Sequence, residues 1–534
     1  METNVMGQLD KLLTRARRNT LGDLLTRTRE RNPDKFAIAY QGVRLTYAEL
    51  DDLVNQTAYA FRGDGVTKGD MMTVMSKNSL DFVVVNFALA RLGAVMIPIN
   101  YMLTEDDVSY ILQHAGATGF IAPEEFAPVL EKSKGDLDIK FRYLMEFPKN
   151  QPVSEVLQEW KPLSHIQQNQ PNELVDEDIE DDDLAHVLYT SGTESRPKGV
   201  MLSHKSIVSE YVSCVVNGDM SEKDVCIHAL PLYHSAQLHC FLGPSVYLGS
   251  SGIILDAATP DVILETIERE GITQLFCPPT VWIALLRHPD FDQRDLSTLE
   301  KCYYGAAIMP REILKELSER LPKARFYNFY GQTEVAPLAT ALGPDEQMTK
   351  LGSAGKPTLN MQTRIVDEDD IEVPRGEIGE IVHRTPHAMK GYLHDPEKTA
   401  EAFKNGWFHS GDLGVMDEEG YITIVDRKKD MINTGGVNVS SREVEEMIYR
   451  LDGVSEVAVI GIPDEYWIEA VTAIVVPKVE TDLKADEVIE FCQQKLSKFK
   501  VPKYVAFADE LPKNPSGKVL KRDLREKYKE LSQQ

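Results

Sequence analysis

The stretch Val187–Gly199, reading VLYTSGTESRPKG, holds the residue types that grip a polyphosphate. Val187, Leu188 and Tyr189 predict a short buried strand. The chain then turns polar through Thr190, Ser191, Gly192 and Thr193, with Arg196 and Lys198 close behind. Hydroxyls and backbone amides leaving a strand end donate to phosphate oxygens, and the two cations supply balancing charge. A Walker loop is excluded. Counting from Gly192, Pro197 stands where its second glycine belongs, and Gly199 follows the lysine. Taken alone, the loop also fits a polar surface turn.

Other chemistry-bearing groups are spread along the chain. His234, in LPLYHS, sits at an apolar strand end, read either as a core histidine or as a group beside a substrate. Gly305-Ala306-Ala307 closes another strand with residues small enough for a flat ring to lie on the backbone. FYNFYGQTE carries Tyr330, Thr333 and Glu334. A carboxylate leaving a strand near a phosphate loop suits Mg²⁺, which takes one or two carboxylates plus phosphate oxygens. Asp412, in WFHSGDLG, has the chemistry to accept from sugar hydroxyls. Lys518, in NPSGKVLKR, is presented by a Pro- and Gly-stiffened loop.

The elements that must position these groups follow from periodicity. Over residues 20–180, helical patterns (Leu21–Arg31, Phe82–Leu92) alternate with apolar runs (Phe36–Tyr40, Met71–Met75, Ala94–Ile99), and Thr46 caps a further helix. That is the rhythm of a helix-covered parallel sheet. Asp176–Asp183, DEDIEDDD, is expected to be a solvated connector. Residues 351–425 carry short strands between Gly, Pro and Asp turns, a β-rich subdomain. The charged cluster 426–430, DRKKD, is followed by Gly435-Gly436 and reads as a hinge. The expected architecture is therefore multi-domain α/β. It has a large N-terminal domain over 1–425, a hinge at 426–430 and a small mobile α+β lid over 431–534.

At 534 residues the chain exceeds one core. Its formal charge, 58 − 84 = −26, argues against nucleic acid as a partner. The six cysteines form no CxxC pair, so neither a disulfide framework nor a zinc site is indicated, and a cytoplasmic setting is expected. No apolar run is long enough to span a membrane. The start pairs Leu9, Leu12 and Leu13 with Lys11, Arg15, Arg17 and Arg18, a solvated helix with at most peripheral membrane contact.

Together these motifs, from about Thr20 to Arg525, resemble the adenylate-forming superfamily of acyl-CoA synthetases, luciferases and adenylation domains. Among its branches the fatty-acyl-CoA ligases are the most similar. The resemblance implies two steps. A carboxylate and ATP give acyl-AMP and pyrophosphate, and coenzyme A then gives the thioester and AMP. By motif, Thr190, Ser191, Gly192, Thr193 and Lys198 would hold the β- and γ-phosphates. Thr333 and Glu334 would serve the α-phosphate and Mg²⁺, and Gly305, Ala306 and Tyr330 the adenine. Asp412 and Arg427 would bind ribose, and His234 would lie beside the acyl group. Lys518 would bridge acyl carboxylate and phosphate. Lys429 matches the pivot, and Gly435-Gly436 would face coenzyme A.

The implied acyl pocket is Tyr233, Gln237, Leu238, Phe241, Val281, Tyr303, Tyr304 and Phe329. It offers no cation, which disfavours a dicarboxylate, and residues 232–236 hold no Asp to receive an α-ammonium. The expected substrate is a medium- or long-chain fatty acid, with an aryl acid such as benzoate or coumarate as the alternative. A homodimer is compatible with this reading. Two departures from the family pattern are Glu194 and Ser195 in the phosphate loop, where Glu194 is expected to face solvent. Asn433 is given no catalytic role.

Overall fold

The computed structural model describes residues 2–146, 157–190, 196–307, 309–464, 466–478, 481–513 and 518–533, with Leu9 the first side chain described. Ser191, Gly192, Thr193 and Glu194 lie outside the described residues, so the expectations placed on them are not addressed by it.

Two large sheets build most of the chain. In the nine-stranded sheet, Arg325–Gly331, Lys301–Gly305, Gln274–Phe276, Val225–His228, Ser251–Ile254 and Phe36–Tyr40 run parallel as neighbours in that order. In the eight-stranded sheet, Leu184–Thr190 lies parallel to Val95–Ile99. It pairs on its other side, antiparallel, with Lys198–Ser203, so that Thr190 stands opposite Lys198. Residues 191–197 therefore join two strand ends fixed side by side. Parallel strands end together on one edge of their sheet, the edge where α/β folds place ligands.

The helix Leu80–Leu92 is apolar on every side and buried at every position, as a helix without a polar face must be. Ser79 caps its start by accepting the Phe82 amide, and Gly93 at φ 67° ends it. Of its two charged residues, Asp81 accepts the Glu146 amide, and Arg91 is buried against Asp51 and Asn55 of the capped helix Tyr47–Gly63. An unpaired guanidinium there would carry the full desolvation cost.

The acidic connector is not simply solvated. Asp178 pairs with Lys11 at 3.0 Å, and Asp176 with Arg18 at 3.1 Å and with Arg15. Asp181 accepts the Asn19 amide at 2.7 Å, and Asp183 pairs with Lys68 at 2.6 Å. The basic face of the first helix is thus tied to this strap. Among the described residues, no helix is long and apolar enough to cross a membrane.

A four-stranded antiparallel sheet follows: Gln362–Val366, Ile378–Arg384, Phe408–Met416 and Ile422–Arg427. The last sheet, five-stranded, is built from residues beyond 431, with the long hairpin Val454–Asp464 and Ile468–Pro477 at its centre. Asp426 joins the two sheets, its Oδ2 accepting the Ser441 amide and hydroxyl, both at 2.7 Å. Nearby, Arg525 donates to Asp430 at 2.7 Å.

Candidate active site

The strand Arg325–Gly331 carries Tyr330 toward the four-stranded sheet, where its hydroxyl donates to Asp412 Oδ2 at 2.6 Å. Asp412 and Arg427 are register partners on adjacent strands, with Arg427 Nε 3.4 Å from Asp412 Oδ1. Tyr330 and Arg427 therefore fix the carboxylate from two sides, leaving its remaining lone pairs for another donor. One strand over, Gly305 ends Lys301–Gly305. A side chain on Gly305 would meet the Phe329 carbonyl at 2.3 Å, so only glycine fits. Ala306 follows at φ 61°, a left-handed turn that only a small side chain enters cheaply.

Glu334 sits just past the end of the Tyr330 strand, its carboxyl buried. Burial raises its pKa, opposed by the Tyr392 hydroxyl and by the charges of Lys198 and Arg427. Tyr392 donates to Glu334 Oε1 at 3.0 Å, and its ring lies 4.8 Å beneath the Lys198 ammonium. Thr333 and Ser235 hydroxyls are 3.1 Å apart, joining this strand end to the His234 segment. Glu334, Thr333, Lys198 and Thr190 are thus drawn to one place, with a carboxylate and hydroxyls of the kind Mg²⁺ takes. Tyr392 and Ser235 are absent from the residues the sequence singles out. Tyr392 reaches the site because Gly391-Tyr392 pairs antiparallel with Val200-Met201, a link no local pattern announces.

Lys518 is buried at its ammonium end among Arg427, Asp412, Lys429 and Asp430. Burial, with the repulsion of Arg427, brings its pKa down to about 7. His234 is close enough to feel it. Burial and the Lys518 charge hold the imidazole near a pKa of about 4, hence neutral. His234 Nδ1 accepts the Ala236 amide at 3.2 Å, which leaves Nε2 as the protonated nitrogen. Lys429 is brought to about 8 by burial and by Arg427. Gly435 and Gly436, at φ 62° and 84°, turn the hairpin Ile432–Val439, the positive φ values such a two-residue turn needs. Asn433 accepts the Gly436 amide at 3.0 Å, a turn-holding role.

The residues expected to line an acyl pocket divide. Phe241, Tyr303 and Phe329 pack together with Phe276, with Phe241–Phe276 stacked at 4.2 Å and Tyr303–Phe329 tilted at 5.3 Å. Tyr304, next along the strand, points to the opposite face, where its hydroxyl donates to Gln347 at 2.7 Å. Val281 packs on that same far side. Gln237 is spent internally, bonded to His228 Nδ1 at 3.0 Å and accepting the Leu230 amide at 3.3 Å. Tyr233 stands edge-on to Tyr101 at 5.6 Å, and Leu238 is buried beneath it.

The family model described as AMP-binding enzyme matches residues 25–393, and its C-terminal domain model matches 443–518, ending on Lys518. The chain belongs to the AMP-binding enzymes. A feruloyl-CoA synthase of an Amycolatopsis species is 34% identical over 96% of this chain and 100% of its own. The long-chain-fatty-acid–CoA ligase FadD13 of Mycobacterium tuberculosis is 33% identical over 91% of this chain and 93% of its own. Among solved structures, ATP-bound MatB from Rhodopseudomonas palustris superposes with a TM-score of 0.87 at 31% identity, covering 96% of this chain and 99% of that one. This AMP-binding enzyme is an AMP-forming acyl- or aryl-CoA synthetase working with ATP, Mg²⁺ and coenzyme A.

Proposed function

We propose that the acid this ligase activates is compact and ring-bearing, of benzoate to cinnamate size. The observation that carries the reading is the block of Phe241, Phe276, Tyr303 and Phe329, in which Phe241 stacks on Phe276 and Phe329 while Tyr303 meets Phe241 edge-on and Phe329 tilted. A long chain would have to part these contacts, each aromatic pair worth about 0.5–1.5 kcal/mol beyond its buried area. A flat ring extends the stack instead. The likeness to a feruloyl-CoA synthase supports the same choice. A medium- or long-chain fatty acid is the second reading, favoured by the apolar lining and by the likeness to FadD13.

The side chains divide the work by charge. Thr190 and Lys198, with Ser191, Gly192 and Thr193, take the outer phosphates. Gly305 and Ala306 lie against the adenine, while Asp412, oriented by Tyr330 and Arg427, accepts from the ribose. Glu334 and Thr333 would hold Mg²⁺, which when bound neutralises charge on the departing pyrophosphate. Lys518 places its ammonium between acyl carboxylate and α-phosphate, where negative charge gathers in the first step. Neutral His234 adds no second cation beside it and offers an N–H to the acyl oxygen. In the second step Lys429 is the pivot that withdraws Lys518 and brings Gly435-Gly436 to coenzyme A.

The reading is tested by incubating the protein with ATP, Mg²⁺, coenzyme A and acids from acetate to oleate, plus benzoate and cinnamates, recording AMP for each. The expected result is coenzyme-A-dependent AMP release that peaks on an aryl acid. A peak on aliphatic acids moves the assignment to the second reading. No AMP with any acid rejects a ligase of either kind.

A further inference from the structure

Glu210 has no part in the chemistry above, yet it is a fully buried carboxyl. It projects from the helix His204–Asn217, where Glu210, Cys214 and the capping Gly218 recur at intervals of four and so share one face. Cys214 Sγ donates to Glu210 Oε1 at 2.9 Å. Cys240 Sγ, from the facing helical segment Leu238–Leu242, donates to the same oxygen at 3.3 Å. Oε2 is also buried and has no hydrogen-bond partner among the described residues. Burial pushes the carboxyl well above its usual range, and with both thiols on Oε1 its proton belongs on Oε2, which meets no acceptor among the described residues.

Its position says what it faces. Down the same helix stripe, the Gly218 carbonyl accepts the Tyr303 hydroxyl at 2.6 Å, and the tip of Phe329 lies 3.1 Å from where a Gly218 side chain would begin. Cys240 belongs to the apolar cluster of Phe241, Tyr303 and Phe329. It comes six residues after His234, on the helical run that His234 caps. On the other side the Leu338 amide, four residues past Glu334, faces the carboxyl. Glu210 thus lies between the segments that carry His234 and Glu334, on the ring side. Its carboxyl and the two thiols also fall within 4.8 Å of one another, the spacing of a metal site. Both thiols already donate to one oxygen of the carboxyl, which makes the trio a hydrogen-bonded set.

We infer that Glu210 is a specificity residue, donating from Oε2 to an oxygen on the acyl substrate's skeleton remote from the reacting carboxylate. The preferred substrates are then hydroxy- or oxo-substituted acids. The inference rests on the ligase reading and holds for an aryl or an aliphatic skeleton.

The test compares kcat/KM for matched pairs, para-coumarate against cinnamate and an ω-hydroxy fatty acid against its parent, in wild type, E210Q and E210L. The oxygen-bearing member should be favoured by at least ~10-fold in wild type, because its partner leaves the buried donor unmet. E210Q keeps a donor and should keep the preference. E210L, apolar and near in volume, should bring the ratio toward one. Equal kcat/KM within every pair turned over by wild type overturns the inference and leaves the ligase standing. An unchanged ratio in folded E210L overturns it too. The wild-type ratio needs no variant, so it remains decisive if E210L does not fold. No AMP with any acid overturns the ligase reading and this inference with it.

Discussion

At Lys518 two opposing demands meet. In the proposed mechanism the first chemical step uses its positive charge, and its burial beside Arg427 and Lys429 works against that charge, bringing the pKa to about 7. The sign follows directly. The ammonium form dominates below about pH 7 and is lost as pH rises through it, so the charge is available on the acid side. For the free enzyme, kcat/KM of the adenylating half-reaction should fall about tenfold per unit above roughly pH 7. Pyrophosphate exchange measured from about pH 6 to pH 9 checks this, and a flat profile contradicts it. Much of the site was legible as residue types in motif order: Tyr330, Glu334, Asp412, Arg427 and Lys518 do converge. Tyr392, Ser235 and Glu210 were not. Each joins the site through a pairing between distant segments, and a Glu on an amphipathic helix looks like any solvated charge until the far side is known.

At the scale of elements, the strand ends decide what can be placed where. Gly305 stands against the Phe329 carbonyl, so Gly305→Ala forces two parallel strands apart at the end proposed to hold adenine. The cost should be about 1–3 kcal/mol, seen as a lower melting temperature together with a raised KM for ATP. Neither quantity changing would show that the strands are not clamped there. Element positions were the best-read feature of the sequence. Leu21–Arg31, Phe36–Tyr40 and Met71–Met75 fall where periodicity places them. What periodicity could not tell was which layer each face of a doubly covered strand meets. Tyr303 and Tyr304 both look like pocket residues in an apolar run, yet alternation sends one to the ring cluster and the other to Gln347.

At the scale of the whole molecule, the part of the chain beyond residue 431 brings Lys518 to groups carried by the other three sheets. The described contacts across that joint include Asp426 with Ser441, Ser440 with the Val425 carbonyl, Asp430 with Arg525, and Arg442 with the Ile424 and Gly352 carbonyls, polar bonds of the kind a rotation can exchange. Such a joint serves a reaction in two stages with different nucleophiles. It also makes the two stages separable by mutation, since Lys518 should matter to the first alone. The most direct test of that claim is to measure the half-reactions separately in Lys518→Ala. Pyrophosphate exchange with ATP and acid should fall about 10²–10³-fold, while transfer of preformed acyl-AMP to coenzyme A stays near the wild-type rate. Exchange left intact, or both halves lost together in a folded variant, would contradict the account.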